Sequence, residues 1–245
     1  MLKEIRAVDD YERNMFGSRQ QPFREHMDRW ISHLRPEQLN NNFFQVTGKV
    51  TFDEIEDAIA QEKERGLHEL LIRSGKRLDR RLNEVYDFET GVLHTMAMFR
   101  DKSDGWQENR EITIRDIQQE DISKDLLDVS EVPEEYREQA YQNMKLVLKA
   151  ARTHPEYHWL CAYADGQRVG TLCALSHGGY TVMDDLWVDG QYRNRYIATS
   201  LLRYAAKNIG GTLFLHVDGD TTLPEMYGKL GFHIVDTVYE YILSW

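Results

Sequence analysis

The stretch LWVDGQYRNRYIATSLL, residues 186–202, changes character twice. Its first three residues close the run YTVMDDLWV (180–188), which reads as a β-strand. The segment 189–195 that follows is polar and turn-prone. From Tyr196, the run YIATSLLRYAAKN (196–208) carries apolar residues at helical spacing, and Gly210-Gly211 stops it. A strand that turns straight into a helix leaves the first helical N–H groups without intrahelical acceptors, and the helix dipole favours negative charge there. Arg193 and Arg195 bring positive charge to the same mouth, and Thr199 offers a hydroxyl donor. The backbone of residues 194–199 therefore reads as an anion site.

Working outward, TLFLHV (212–217) is a strand, LPEMYGKLG (223–231) a short helix and FHIVDTVYEYIL (232–243) a long final strand with the character of an exposed edge. Upstream, HWLCAYADGQRVGTLCALS (158–176) is a hairpin, with Asp165-Gly166 as its turn between apolar runs. EITIRDI (111–117) reads as a strand. Two helices are expected before the hairpin, around DISKDLLDV (121–129) and EEYREQAYQNMKLVLKAAR (134–152), with Pro155 in the loop after them.

Residues 43–99 alternate strand, helix, strand, helix, strand. In TFDEIEDAIAQEKERG (51–66), Thr51 is the N-cap, Glu54 completes a capping box and Gly66 lies past the end. HELLIRS and GVLHTMAMF are strands on either side of the amphipathic helix RLDRRLNEVYDF (77–88), whose basic cluster is a solvated face. The first forty residues read as helical, including EHMDRWISHL, where Met27, Trp30, Ile31 and Leu34 recur at helical spacing. DKSDGWQENR (101–110) is turn-rich and is the expected linker, giving lobes of 1–105 and 106–245. RSGKRLDRRLNEVYDF (from Arg73) also lies over VDGDTTLPEMYGKLGF (from Val217) without a gap. Gly75 then falls on Gly219, Leu82 on Met226 and Phe88 on Phe232. This is either an internal repeat or two similar strand–helix–strand units.

Composition narrows the class. The chain has 245 residues, 41% hydrophobic and 29% charged, with 30 basic and 41 acidic side chains and a net charge of -11. That sign speaks against nonspecific nucleic-acid binding and mildly favours a cationic small molecule or basic peptide. No run of about 20 apolar residues suits a membrane span. The start MLKEIRAVDDYERN lacks a secretory h-region, and the expected location is cytoplasmic. Cys161 and Cys173 lie in apolar runs and read as buried free thiols.

The 186–202 stretch resembles the acyl-CoA signature of the GNAT N-acetyltransferase family, whose extended form is V-D-P-E-Y-R-G-K-G-I-G. Val188, Asp189, Tyr192, Arg193, Ile197 and Ala198 match it without gaps, and Arg195 stands for the lysine. The family's turn glycines are Asn194 and Tyr196 here. A second signature, a strand followed by Asn and a helix ending L-Y-x-x-L-G-F, is matched by Met226, Tyr227, Leu230, Gly231 and Phe232, with Asp220 at the Asn position. The resemblance covers about residues 111–245. It implies an α/β (α+β) GNAT fold, a mixed, mostly antiparallel sheet flanked by helices. The whole chain is similar to two-lobed bacterial members, with a degenerate amino-terminal lobe in which Asn83 takes the place of Tyr227.

The resemblance further implies transfer of an acetyl group from acetyl-CoA to a primary amine by direct attack, with no metal. Leu186, Trp187 and Val188 would hold the pantetheine and thioester through their backbone. Arg193, Asn194, Arg195, Tyr196, Ile197, Ala198 and Thr199 would hold the pyrophosphate. Tyr227 would be the general acid, since an ordinary phenol is protonated at neutral pH. Asp184 matches a position where some members carry a catalytic glutamate, and His216 is the other candidate base. Asp184 and Asp185 are adjacent on a strand, so alternation lets only one face the cleft. The alternatives are a catalytically silent acyl-CoA-binding or regulatory protein, and an interaction module whose Tyr196 fills the pyrophosphate position. The expected partner is a small amine or basic peptide, with neither nucleic acid nor membrane, and a homodimer through the final strand is compatible with the sequence.

Overall fold

The computed structural model describes residues 1–35, 38–117, 133–134 and 137–245. Its early elements are α1 (Leu2–Met15), β1 (Ser18–Arg24), β2 (Met27–Ser32), β3 (Phe43–Val46), α2 (Phe52–Glu64), β4 (Glu69–Ser74), α3 (Arg80–Val85) and β5 (Glu89–Met98). Then come β6 (Thr113–Asp116), α4 (Arg137–Thr153), β7 (Tyr157–Ala164), β8 (Gln167–His177) and β9 (Tyr180–Val188). The last are α5 (Ile197–Asn208), β10 (Thr212–Asp218), α6 (Leu223–Lys229) and β11 (His233–Ser244). The helix expected at 121–129 lies outside the described residues. The chain divides into two compact units, each assembled from several segments. The first comprises Met1–Asp9, Ala97–Leu215 and Leu230–His233; the second comprises Asp10–Met96, His216–Lys229 and Ile234–Trp245.

In the first unit the strands lie in the order β10-β9-β8-β7-β6, antiparallel except for the parallel pair β9/β10. The β7/β8 hairpin turns at Asp165 (φ 50°) and Gly166 (φ 81°), the pair of left-handed residues that a tight hairpin needs and that Asp-Gly supplies. The core holds Trp159, Leu160, Leu172, Leu175, Val182 and Phe214, together with Leu201, Leu202 and Ala205 from α5. Cys161 and Cys173 are buried free thiols.

In the second unit the order is β1-β2-β3-β4-β11-β5, with β3/β4 parallel and the β1/β2, β2/β3 and β4/β11 pairs antiparallel. Two apolar layers face away from each other. Met27, Phe44, Ile72 and Tyr241 pack with Ile55, Ala58 and Ile59 of α2, whereas Trp30, Phe43 and Leu71 form the opposite layer. Helix α2 begins as read: Thr51 accepts from the Glu54 N–H, and the Glu54 carboxylate accepts in return from the Thr51 N–H, completing the capping box.

Two expectations fail here. EHMDRWISHL is not helical; its centre is β2. Met27 faces the α2 layer, as does Arg29, whose guanidinium donates to the buried Glu62 of α2, while Trp30 faces the other layer. A strand covered on both faces carries large side chains at both parities, so Met27, Trp30 and Ile31 imitate helical spacing. The final strand is not an edge either. β11 lies between β4 and β5, and its residues Tyr239–Ser244 pair with Ser74–Glu69. The polar residues that suggested an edge find partners inside the sheet: Glu240 accepts from Arg73 Nε at 2.7 Å.

Candidate functional site

The site is built on the end of β9. Cys173 pairs with Asp184 and Thr171 with Trp187, so β9 carries one more residue than β8 over this interval. The surplus is a β-bulge in which Asp185 takes a left-handed φ of 50°. The Asp184 carboxylate closes it, accepting from the Asp185 N–H at 2.9 Å. The bulge breaks the expected alternation, and both Asp184 and Asp185 are exposed. The parallel register with β10 runs from Thr212↔Tyr180 to Phe214↔Val182 and no further, although β9 continues to Val188. Leu186, Trp187 and Val188 are half-buried.

Beyond Val188 the chain turns through a short 3-10 segment, Gly190–Tyr192, capped by Asp189, whose carboxylate accepts from the Gln191 N–H at 2.7 Å. Arg193 Nε donates back to the Val188 carbonyl at 3.2 Å, and the Arg195 guanidinium sits 5.4 Å from the Tyr192 ring centroid. Both arginines are exposed. Asn194 (φ 60°) and Tyr196 (φ 61°) are left-handed. These are the two positions at which the resemblance puts glycine, so the backbone keeps the glycine conformation without glycine. Tyr196 is the N-cap of α5, makes no side-chain cap and is 52% exposed. The first N–H groups of α5, at Ile197, Ala198 and Thr199, therefore have no intrahelical acceptor and no cap from the Tyr196 side chain. Such an end, flanked by Arg193 and Arg195, suits an anion.

Helix α5 sits close to the sheet because of Gly170 on β8. A Cβ there would lie 2.9 Å from Ile197 Cγ2, 3.1 Å from the Trp187 carbonyl oxygen and 3.3 Å from Leu201 Cδ1. Sequence reasoning missed this residue, although an isolated glycine within a strand signals close backbone approach. It also missed Asn109 and Ser200, which hydrogen-bond at the start of α5. Asn109 falls in the segment read as linker, which overlaps the 3-10 helix Arg100–Gly105 and contains the buried Trp106.

The remaining predicted residues belong to the second unit. Tyr227, on α6, is buried. His216 shares a 3.0 Å hydrogen bond, Nδ1 to Oγ1, with Thr95 on β5. The Leu230-Gly231-Phe232 ending lies in the first unit, where Trp106 donates to the Leu230 carbonyl at 2.9 Å and stacks on Phe232. Gly231 has φ 95°, which explains the glycine. The proposed repeat corresponds to β4–α3–β5 and β10–α6–β11. Burial pairs Leu82 with Tyr227 rather than with the exposed Met226, one residue off the ungapped register.

Comparison with known proteins accords with this geometry. Residues 155–234 match the family model described as an acetyltransferase (GNAT) domain. The fold is similar to that of a functionally unknown conserved protein from Staphylococcus epidermidis, covering 94% of this chain and 95% of that one, with TM-score 0.77 and 15% identity. It is similar to a GCN5-related N-acetyltransferase from Kribbella flavida (98% and 95% covered, TM-score 0.62, 12% identity). A tandem GNAT protein from the clavulanic acid biosynthesis pathway is similar over 89% of this chain and 78% of that one, with TM-score 0.56 and 12% identity. No curated relative matches the sequence. Residues 155–234 thus match a GNAT acetyltransferase domain, and the chain has the fold of the GNAT proteins. Among the described residues no helix is long and apolar enough to cross a membrane.

Proposed function

We propose that the protein transfers an acetyl group from acetyl-CoA to a primary amine in a ternary complex. One observation carries this reading: the turn from Val188 into α5 holds left-handed backbone at both glycine positions of the acyl-CoA signature, Asn194 and Tyr196, and presents an uncapped helix start beside two arginines. The N–H groups of Ile197, Ala198 and Thr199, with Arg193 and Arg195, suit a pyrophosphate. The β9/β10 register ends at Phe214↔Val182 while β9 continues to Val188, which supports assigning backbone N–H groups near Leu186–Val188 to an extended pantetheine.

Acetyl-CoA supplies the thioester. The chain's own groups take a neutral amine, accept its proton as the C–N bond forms and return one to the leaving thiolate. Tyr227 is assigned as the proton donor and Asp184 as the acceptor. The Asp184 carboxylate already holds the Asp185 N–H on one oxygen, which fixes its position and leaves the other oxygen for the amine. The net charge of -11 favours a cationic acceptor. The test is thiol release from acetyl-CoA across a panel of polyamines, amino sugars, amino acids and basic peptides. Turnover with a primary amine supports the assignment. Binding of acetyl-CoA without turnover across the panel makes the protein a silent acyl-CoA binder instead.

A further inference from the structure

Left-handed backbone is unfavourable for a tyrosine, because its Cβ crowds the neighbouring carbonyl. Something other than Tyr196 itself must hold it there. The torsions at Tyr196 are fixed once the peptide planes on either side are fixed, and both carbonyls are held. Asn109 Nδ2 donates to the Arg195 carbonyl at 3.0 Å. Ser200 Oγ donates to the Tyr196 carbonyl at 2.8 Å, and the Ser200 N–H donates to the same oxygen at 2.9 Å. Asn109 also fixes Ser200: its backbone N–H donates to Ser200 Oγ at 2.8 Å. The orientation of the Asn109 amide is determined by its other end, where Oδ1 accepts from the Glu111 N–H at 2.7 Å. A carbonyl acceptor on one side and an N–H donor on the other admit only that orientation.

From this network we infer that Asn109 is a positioning residue for the cofactor turn: it holds Tyr196 in the left-handed form that aims the α5 N-terminus at an anionic ligand. The conformational freedom that glycine would contribute is replaced by a clamp from a distant part of the chain. Asn suits the task because one side chain supplies both the donor for the Arg195 carbonyl and the acceptor that anchors it. Aspartate keeps the acceptor and loses the donor, turning an oxygen toward the carbonyl. The inference rests on the acetyl-CoA reading for its functional consequence, but the clamp is measurable without ligand.

The experiment uses the full chain and the variants Asn109→Ala, Asn109→Asp, Tyr196→Gly and Asn109→Ala/Tyr196→Gly. Amide hydrogen exchange at residues 197–201 reads the clamp, and titration with acetyl-CoA reads the ligand. Both Asn109 variants are expected to speed exchange at the start of α5 and to weaken acetyl-CoA binding about tenfold, the scale of losing the hold on one strained residue. Tyr196→Gly, which adopts the left-handed form unaided, is expected to restore binding in the Asn109→Ala background to within about threefold. A residue that merely stabilised the fold would not be rescued by glycine at that position. Unchanged exchange in Asn109→Ala, or weakened binding that Tyr196→Gly fails to restore, overturns the inference. If the wild type binds no acetyl-CoA, the proposed function fails, and the exchange data still decide the role of Asn109.

Discussion

Gly170→Ala tests the packing that places the candidate site. A methyl group at residue 170 meets Ile197 Cγ2 at 2.9 Å and the Trp187 carbonyl oxygen at 3.1 Å. Neither is the free end of a flexible chain: Ile197 is buried in the first turn of α5, and Trp187 is backbone at the end of β9. The helix must move off the sheet, and overpacking of this kind costs about 1–3 kcal/mol. Gly170 is not left-handed, so alanine also restricts the unfolded chain and returns up to about 1 kcal/mol. The net loss is about 1–2 kcal/mol. For a chain of this length that lowers Tm by about 2–8 °C. Thermal denaturation followed by circular dichroism measures it, with Gly228→Ala as the control. Among the described residues, no atom beyond its chain neighbours and its own helix backbone lies within 4 Å of a Cβ at Gly228 in α6, and alanine there is expected to stabilise by about 0.5–1 kcal/mol. A Gly170→Ala protein as stable as wild type would refute the close packing of α5 on β8.

Glu54 gives a pH dependence. Burial pushes its carboxyl up, but hydrogen bonds from His26 and Thr51 outweigh burial and hold it below its ordinary 4.5. A depressed acid contributes stability that is present above its unfolded value and lost as pH falls through the folded one. The urea midpoint of the wild type should therefore fall more steeply below about pH 4.5 than that of Glu54→Gln, and parallel curves would contradict the hydrogen-bond account. Tyr227→Phe removes the assigned proton donor. It should lower kcat about a hundredfold while leaving acetyl-CoA affinity unchanged, and an unchanged kcat would remove Tyr227 from the chemistry.

Local signals carried far. The Asp165-Gly166 hairpin, the Thr51–Glu54 capping box and the strand-to-helix turn at 186–202 each depend on residues close in the chain, and all three were legible. What escaped depends on distant partners. β2 imitated a helix because α2 covers one of its faces and Trp30 packs on the other, neither of which its own residues reveal. β11 imitated an edge because Glu240 meets Arg73, 167 residues away. At the site, Arg193 and Arg195 stood out by their charge at the helix start, and Asn194 and Tyr196 through the resemblance, at its two glycine positions. Asn109 did not, because its partners, the Arg195 carbonyl and the Ser200 hydroxyl, lie 86 and 91 residues along the chain.

The most direct test of the central claim is isothermal titration of the purified protein with acetyl-CoA, with Arg193→Ala alongside. The predicted result is saturable binding by the wild type that weakens about tenfold when the charged donor is removed. Absence of binding by folded wild-type protein would contradict the account and leave a GNAT fold with another task.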